Sequence, residues 1–405
     1  MAEKKNKEKQ TNYWVVFFLI APLMGLSWLN AGLIPPLTTT LMAEQGLSYA
    51  QIGLLTSVFY AVNIPGCLLT GFLTNVFGLR RLLLFGAVIG TLSTYFFTLT
   101  SNFLVMIAWR LVQGLSGSIF WVAGTHFLSL WFPSQKRNLV IGAYNATYWL
   151  TIGIYYLAVP ILLAAHYKWR LIVQVIAILF GICGVIFWKW SEDPKPEEMG
   201  QSDKDSMKME DFKSAFRNPG VFLMFLINAG IWFQLAGVLT WVPPYLEEAC
   251  KRLPGEVGLV SMLLTFAAIP ALLLGGYVAD KTGKNIMTII IGMVISLSTF
   301  LFPWVKEAHL LTLMGVCLLS VAGSNISFGP AYNLPSMILP PKMLGMGFGI
   351  VSTGGVTAAV FTSYLGGYVI DRTGSYDLYF IICGLAVIAT ISICSIIKRY
   401  FIDNR

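Results

Sequence analysis

Twelve runs of mostly apolar residues, each separated from the next by a short polar break, dominate the chain. A run of about 20 such residues is what a helix needs to cross roughly 30 Å of hydrocarbon. The runs lie near 13–41, 48–74, 80–99, 102–131, 136–166, 169–190, 219–249, 255–279, 284–304, 309–336, 342–370 and 375–398. Only helices and closed barrels satisfy their backbone groups in lipid. A barrel would show segments of about 10 residues alternating apolar and polar, and the sequence has no such alternation. The chain therefore reads as an all-α membrane protein with twelve transmembrane helices. Composition agrees, because only 11% of the 405 residues are charged, against about 25% in soluble domains.

Basic residues set the expected orientation. The opening MAEKKNKEKQTN is followed by a span too long for a signal-peptide core and reads as a retained cytoplasmic tail. With that tail inside, the inner loops and tails hold 20 of the 27 Lys and Arg, the outer loops hold 6, and Arg110 completes the count. That excess predicts cytoplasmic termini in a cell (plasma or inner) membrane. The net charge of +8 is then topological: its partner is anionic membrane lipid, and no nucleic-acid partner is implied. Five of the six cysteines fall in spans, Cys250 lies near an outer end, and no CxxC occurs, so no disulfide and no metal site are expected.

The long polar stretch 189–220 divides six spans from six, which predicts a tail 1–12, a bundle 13–190, a linker 191–218, a second bundle 219–398 and a tail 399–405. The halves echo each other. GFLTNVFGLRR starts at Gly71 and GYVADKTGKN at Gly276, and their second glycines, Gly78 and Gly283, stand 205 residues apart. Pro35-Pro36 and Pro243-Pro244 repeat at 208 residues, at matching span ends. Paired prolines remove backbone donors, and interrupted spans at matching positions of two repeats point to a transporter that rocks about a central site.

Glycine, three residues, an acid, two residues, glycine and then basic residues resembles the loop signature of the major facilitator superfamily. Gly276, Asp280, Gly283 and Lys284 match it; the first copy has Gly71, Gly78, Arg80 and Arg81 but carries Asn75 where the acid belongs. RLVQGLSG is similar to that superfamily's fourth-helix signature through Arg110, Gln113, Gly114 and Gly117. The resemblance implies two pseudo-symmetric six-helix bundles and a gate at these loops. Asp280 is expected to latch that gate by charge-assisted bonds, more firmly than the uncharged Asn75 can. Gly329-Pro330 is an expected hinge in the tenth span.

Arg110 is the ionisable group expected deepest in the membrane, together with His126 on the same helix. A buried cation costs at least about 2.5 kcal/mol on insertion scales and marks a function. Two roles stay open: contact with an anionic substrate, or satisfaction of carbonyls freed by a broken neighbour. Arg110, Gln113, Gly117, Trp121 and Gly124 share a helical stripe. Trp28, Asn30, Tyr144, Tyr148, Gln234, Trp241, Asn325 and Tyr332 supply further aromatic and amide groups as substrate-binding candidates, and His126 is the candidate proton relay. That the first, fourth, seventh and tenth helices face the cavity is implied by the resemblance.

The expected function is a secondary or facilitated transporter of a small anion or weak acid, with an organic monoanion favoured, working by rocker-switch alternating access. The alternative is a multidrug or cationic-solute exporter of the same fold, which would want a membrane acid that this chain lacks. The fifth span reads TIGIYYLAVP, with Val159 before Pro160 where drug antiporters carry Gly-Pro. Faint resemblances run to the cyanate and nitroimidazole porters and to carboxylate exchangers. Neither a nucleophile motif nor a phosphate loop is present, so no enzyme and no cofactor are expected. The partner is a small-molecule solute; uniport, exchange and symport with a proton carried by His126 or the substrate all stay open, and the chain is expected to act as a monomer.

Overall fold

Helix formation follows the apolar runs. The computed structural model describes residues 2–192, 219–338 and 344–399; the expected linker beyond 192 and tail beyond 399, and the side chain of Asn75, lie outside the described residues. Among the described residues no strand occurs, and twelve helices are long and apolar enough to span a membrane. They are α1 (Tyr13–Gly32), α2 (Tyr49–Thr74), α3 (Leu79–Phe97), α4 (Phe103–Trp131), α5 (Leu139–Ala164), α6 (Trp169–Trp190), α7 (Pro219–Ala249), α8 (Pro254–Thr282), α9 (Asn285–Trp304), α10 (Leu310–Pro335), α11 (Gly347–Thr373) and α12 (Asp377–Ile397). The helix that carries α1 begins already at Ala2.

Lipid exposure is written in the side chains. Only 28% of the α5 window and 33% of the α6 window are buried, and Leu139, Ile154, Val185 and Trp188 stand exposed on them. Such surfaces suit hydrocarbon rather than water.

Two compact units form: Met1–Leu33, Ala61–Tyr155 and Leu162–Lys204 in the first, Ile34–Tyr60, Tyr156–Ile161 and Asp205–Arg405 in the second. In the first, small residues on α3 let α4 and α6 pack closely, and Ser116 on α4 donates to the Gly86 carbonyl at 2.8 Å. In the second, α7 contributes to a core shared by five helices. Its Met224, Ile227 and Ile231 share a core with Ile286, Ile289 and Met293 of α9, Leu334 of α10, Val351 of α11 and Val387 of α12.

The two proline pairs behave differently. The apolar run expected to continue to residue 41 stops being α-helical at Asn30, passes through 3-10 turns at Asn30–Gly32 and Pro35–Leu37, and resumes as a short helix Thr38–Gln45. Around Pro243-Pro244, by contrast, the α-helix runs through both prolines and passes into a π turn at Tyr245–Ala249. The missing N–H of Pro243 leaves the Leu239 carbonyl without its helical donor, and the Tyr156 hydroxyl donates to it at 3.3 Å. α10 likewise stays helical through Pro330.

Candidate functional site

The break in α1 frees carbonyls in the buried interior of the first unit, and side chains of neighbouring helices take them up. Arg110 on α4 is fully buried; its Nη1 donates to the Asn30 carbonyl at 2.7 Å and to Gln113 Oε1 at 2.8 Å. Tyr155 on α5 donates its hydroxyl to the Leu33 carbonyl at 2.8 Å. Gln113 passes the chain on to the Ser93 carbonyl at 3.3 Å, and Thr94 donates to Asn30 Oδ1 at 3.1 Å. A single turn of α3, the break in α1 and the Arg110 turn of α4 thus form one polar cluster. Hydrogen bonds from a charged donor are worth about 1.5–3 kcal/mol each, which is enough to hold an unwound segment in place.

A second tie joins the same two helices. Trp28 on α1 is buried and donates its indole N–H to the Gly117 carbonyl at 3.0 Å. Its ring meets Trp121 at 4.9 Å and Tyr148 at 5.7 Å, and Trp121 and Tyr148 meet at 6.4 Å. This aromatic trio comes from α1, α4 and α5.

Trp121 owes its position to a π turn, Phe120–Gly124, within α4. The extra residue per turn breaks the stripe expected from regular helical spacing: Arg110, Gln113, Gly117 and Gly124 are buried while Trp121 is 36% exposed. The freed Phe120 carbonyl accepts the Tyr144 hydroxyl at 2.8 Å. That hydroxyl lies where a side chain at position 124 would be, only 2.0 Å from the Cβ an alanine would carry, so glycine is required there. Tyr144, expected along the lining, is enclosed for this reason.

In the second unit Gln234 on α7 centres a neutral cluster. Its Nε2 donates to Thr299 Oγ1 on α9 at 2.9 Å and to Ser320 Oγ on α10 at 2.7 Å, and Ser324 donates to its Oε1. Asn325 bonds within its own helix, to the Val321 carbonyl at 2.9 Å. Trp241, also expected along the lining, is fully buried and packed instead against Tyr49 and Tyr379. Tyr332 meets Phe328 at 4.8 Å with the rings tilted by 36°, and Phe328 meets Trp232 at 5.7 Å. Trp232 was not among the expected lining residues. Its signal is positional, since it follows Trp28 by 204 residues, close to the repeat offset.

The expected gating residues divide. Gly78 and Gly283 adopt positive φ of +78° and +67°, which favours glycine, and Gly283 closes α8 in a left-handed cap. Arg80 donates through Nε to Ser191 Oγ at 3.0 Å and through Nη2 to the Trp188 carbonyl at 2.5 Å, tying α3 to the end of α6. Arg81, Asp280 and Lys284 are exposed, Gly71 and Gly276 have open space beside them, and Asp280 makes no side-chain hydrogen bond or ion pair among the described residues. Pro35 and Pro36 are buried in their 3-10 turn. His126 is exposed on α4, and its backbone carbonyl accepts the Ser129 hydroxyl at 2.7 Å. An apolar groove of about 440 Å³ between α3 and α6, lined by Leu84, Val88, Leu92, Val185 and Trp188, offers nothing to a hydrophilic solute.

The sequence profile of the Major Facilitator Superfamily matches residues 20–354 and, overlapping it, 253–403. The chain belongs to that superfamily. It is accordingly a multi-pass membrane transporter and not an enzyme. This superfamily member is 23% identical to the probable galactarate/D-glucarate transporter GudP of Bacillus subtilis, over 95% of this chain and 91% of that one. It is 24% identical to the probable sulfoacetate transporter SauU of Cupriavidus necator, over 84% of this chain and 83% of that one. It is also 24% identical to the cis,cis-muconate transport protein of Acinetobacter baylyi, over 97% and 95%. A crystal structure of a bacterial homologue of the human lysosomal transporter Spinster superposes with a TM-score of 0.78 at 14% identity, covering 97% of this chain and 98% of that one. That likeness establishes the major facilitator fold.

Proposed function

We propose that this superfamily member moves a small organic anion across a cell membrane by alternating access, with both termini in the cytoplasm. The observation that carries the reading is the guanidinium of Arg110, fully buried in the membrane-spanning part of α4 and two helical turns from the Trp28 tie. A fixed positive charge at that depth favours anions and opposes cations. The relatives named for galactarate, sulfoacetate and muconate support the same class. The excess of Lys and Arg in alternate loops supports the orientation.

Arg110 acts on the substrate through charge and through α1. Its bonds to Asn30 and Gln113 tie the cation to the unwound segment, so an anion drawn toward it bears on the part of α1 that can bend. In the first unit, direct packing falls to Trp121 and Tyr148, whose rings meet at 6.4 Å and stay partly exposed. A proton carried by the substrate or by His126 is the proposed coupling ion.

The test is a thermal-shift screen of the purified protein against D-glucarate, galactonate, sulfoacetate, cis,cis-muconate, nitrate and a lipophilic cation at matched ionic strength. A ligand at a hundred times its Kd stabilises the folded state by about 2.7 kcal/mol. An organic anion that raises Tm, and is then taken up by proteoliposomes, supports the reading; a shift from the cation alone overturns it.

A further inference from the structure

The segment GYVIDRTG, Gly367–Gly374 at the end of α11, repeats GYVADKTG, Gly276–Gly283 at the end of α8, with changes only at the fourth and sixth residues. The local structures share most of their bonds, although Thr373 Oγ1 also reaches the Ser375 carbonyl at 3.0 Å. Gly374 N donates to Ile370 O at 2.8 Å as Gly283 N does to Ala279 O at 2.8 Å. Thr373 Oγ1 donates to Val369 O at 2.8 Å and Thr282 Oγ1 to Val278 O at 2.7 Å. The N–H groups of Ser375 and Lys284 each return to that threonine at 3.3 Å. Arg372 lies over the Tyr368 ring at 5.4 Å and Lys281 over the Tyr277 ring at 5.6 Å. Gly374 and Gly283 have φ of +66° and +67°.

What differs is engagement. Asp371 accepts the N–H of Tyr49 at 2.9 Å and the N–H of Ala50 at 2.7 Å, the first donors of α2. The next donor, Gln51 N, goes to Ser48 Oγ at 3.3 Å, while Gln51 Oε1 accepts Ser48 N at 2.9 Å. The start of α2 is thus capped partly by its own capping box and partly by α11. A Cβ at position 367 would lie 2.0 Å from the Tyr49 carbonyl oxygen, whereas a Cβ at 276 would meet nothing within 4 Å. The counterpart acid, Asp280, holds no such helix end among the described residues.

We propose that Gly367–Gly374 is a third copy of the loop signature and the latch of the α11–α12 end, with Asp371 clamping the first turn of α2 onto α11 and letting go when that end opens. α2 is suited to transmit the release, because it passes from the second compact unit into the first between Tyr60 and Ala61. Glu248 at the end of α7 reinforces the clamp by accepting the hydroxyl of Tyr49 and, at 2.7 Å, that of Tyr376. Burial first and the Glu248 carboxylate second push the Tyr376 hydroxyl far above the ordinary tyrosine range, so it remains a donor at every physiological pH. The copy at Asp280, with an empty glycine cradle, is the unlatched partner in this conformation.

The latch rests on the alternating-access reading for its role in transport, but its state is measurable without a substrate. Hydrogen–deuterium exchange on the full chain in lipid nanodiscs, read in the peptide covering residues 48–57, follows the two amides that Asp371 holds. Asp371→Asn is expected to speed their exchange about ten-fold, as befits loss of a charge-assisted bond, and Asp371→Glu to fall between. Gly367→Ala should speed it too, and Gly276→Ala should leave it at the wild-type rate. Wild-type exchange in Asp371→Asn, or equal acceleration by both glycine variants, overturns the latch. Either result leaves the anion screen untouched, and a failed screen leaves this measurement standing.

Discussion

Thr94 on α3 and Thr299 on α9 stand 205 residues apart, and each joins a buried amide on the first helix of its half, Asn30 on α1 and Gln234 on α7. From that shared plan the clusters diverge. In the first half the fourth helix brings the Arg110 guanidinium to a broken α1; in the second, the corresponding α10 brings Ser320 and Ser324 to an α7 that stays helical. The charged cluster braces an unwound backbone, whereas the neutral one cross-links α7 and α10 to the 3-10 stretch Leu297–Trp304 that ends α9. Pseudo-symmetry thus fixes where polarity is buried, and the side-chain chemistry decides which half carries the charge and which holds a neutral seam.

Arg110→Ala should separate the halves most sharply. It strips two buried acceptors of their charged donor, so a loss of about 3 kcal/mol and of all transport in proteoliposomes is expected, with Arg110→Lys restoring part of the activity if a point charge suffices. Full transport in the alanine variant would remove charge from the comparison. Gly124→Ala comes next, because its Cβ would run into the Tyr144 hydroxyl at 2.0 Å. Overpacking of that kind costs about 1–3 kcal/mol and should lower Tm, with the displaced π turn also weakening the ligand-induced shift.

In the second half, Gln234→Leu should be milder. Thr299 and Ser320 already lie 2.8 Å apart, and Ser296 and Ser324 3.0 Å apart, so the hydroxyls can pair among themselves. A cost of about 0.6–1.7 kcal/mol is typical of such interhelical bonds, with transport largely kept; inactivation as complete as in Arg110→Ala would show that the seam, not the charge, is decisive. Trp121→Ala has the smallest expected effect on folding, within about 0.5 kcal/mol because the ring is already 36% exposed. Its mark should be a ligand-induced Tm shift that is reduced while the ligand-free Tm holds.

The site was partly legible in advance. An arginine in an apolar run announces itself because burying it is costly, and the freed carbonyl it would need was legible from the prolines at 35 and 36. The π turn was not, since nothing in FWVAG distinguishes one extra residue per turn from regular helix until the Tyr144 hydroxyl is there to take the Phe120 carbonyl. Trp232 and the third signature copy were legible only by aligning the chain with itself, because each alone is an ordinary interfacial aromatic or an ordinary loop.

By itself, then, the sequence determined the twelve spans, the repeat and the superfamily, for a physical reason: lipid sorts residues by polarity run by run, and a local rule can be read locally. Which carbonyl Arg110 grips, why Pro35-Pro36 breaks a helix and Pro243-Pro244 does not, and which of two nearly identical loops is engaged were decided by the tertiary structure alone. Each depends on a donor or an open space supplied by a residue tens to hundreds of positions away, as Tyr156 serves Leu239 and Asp371 serves Tyr49.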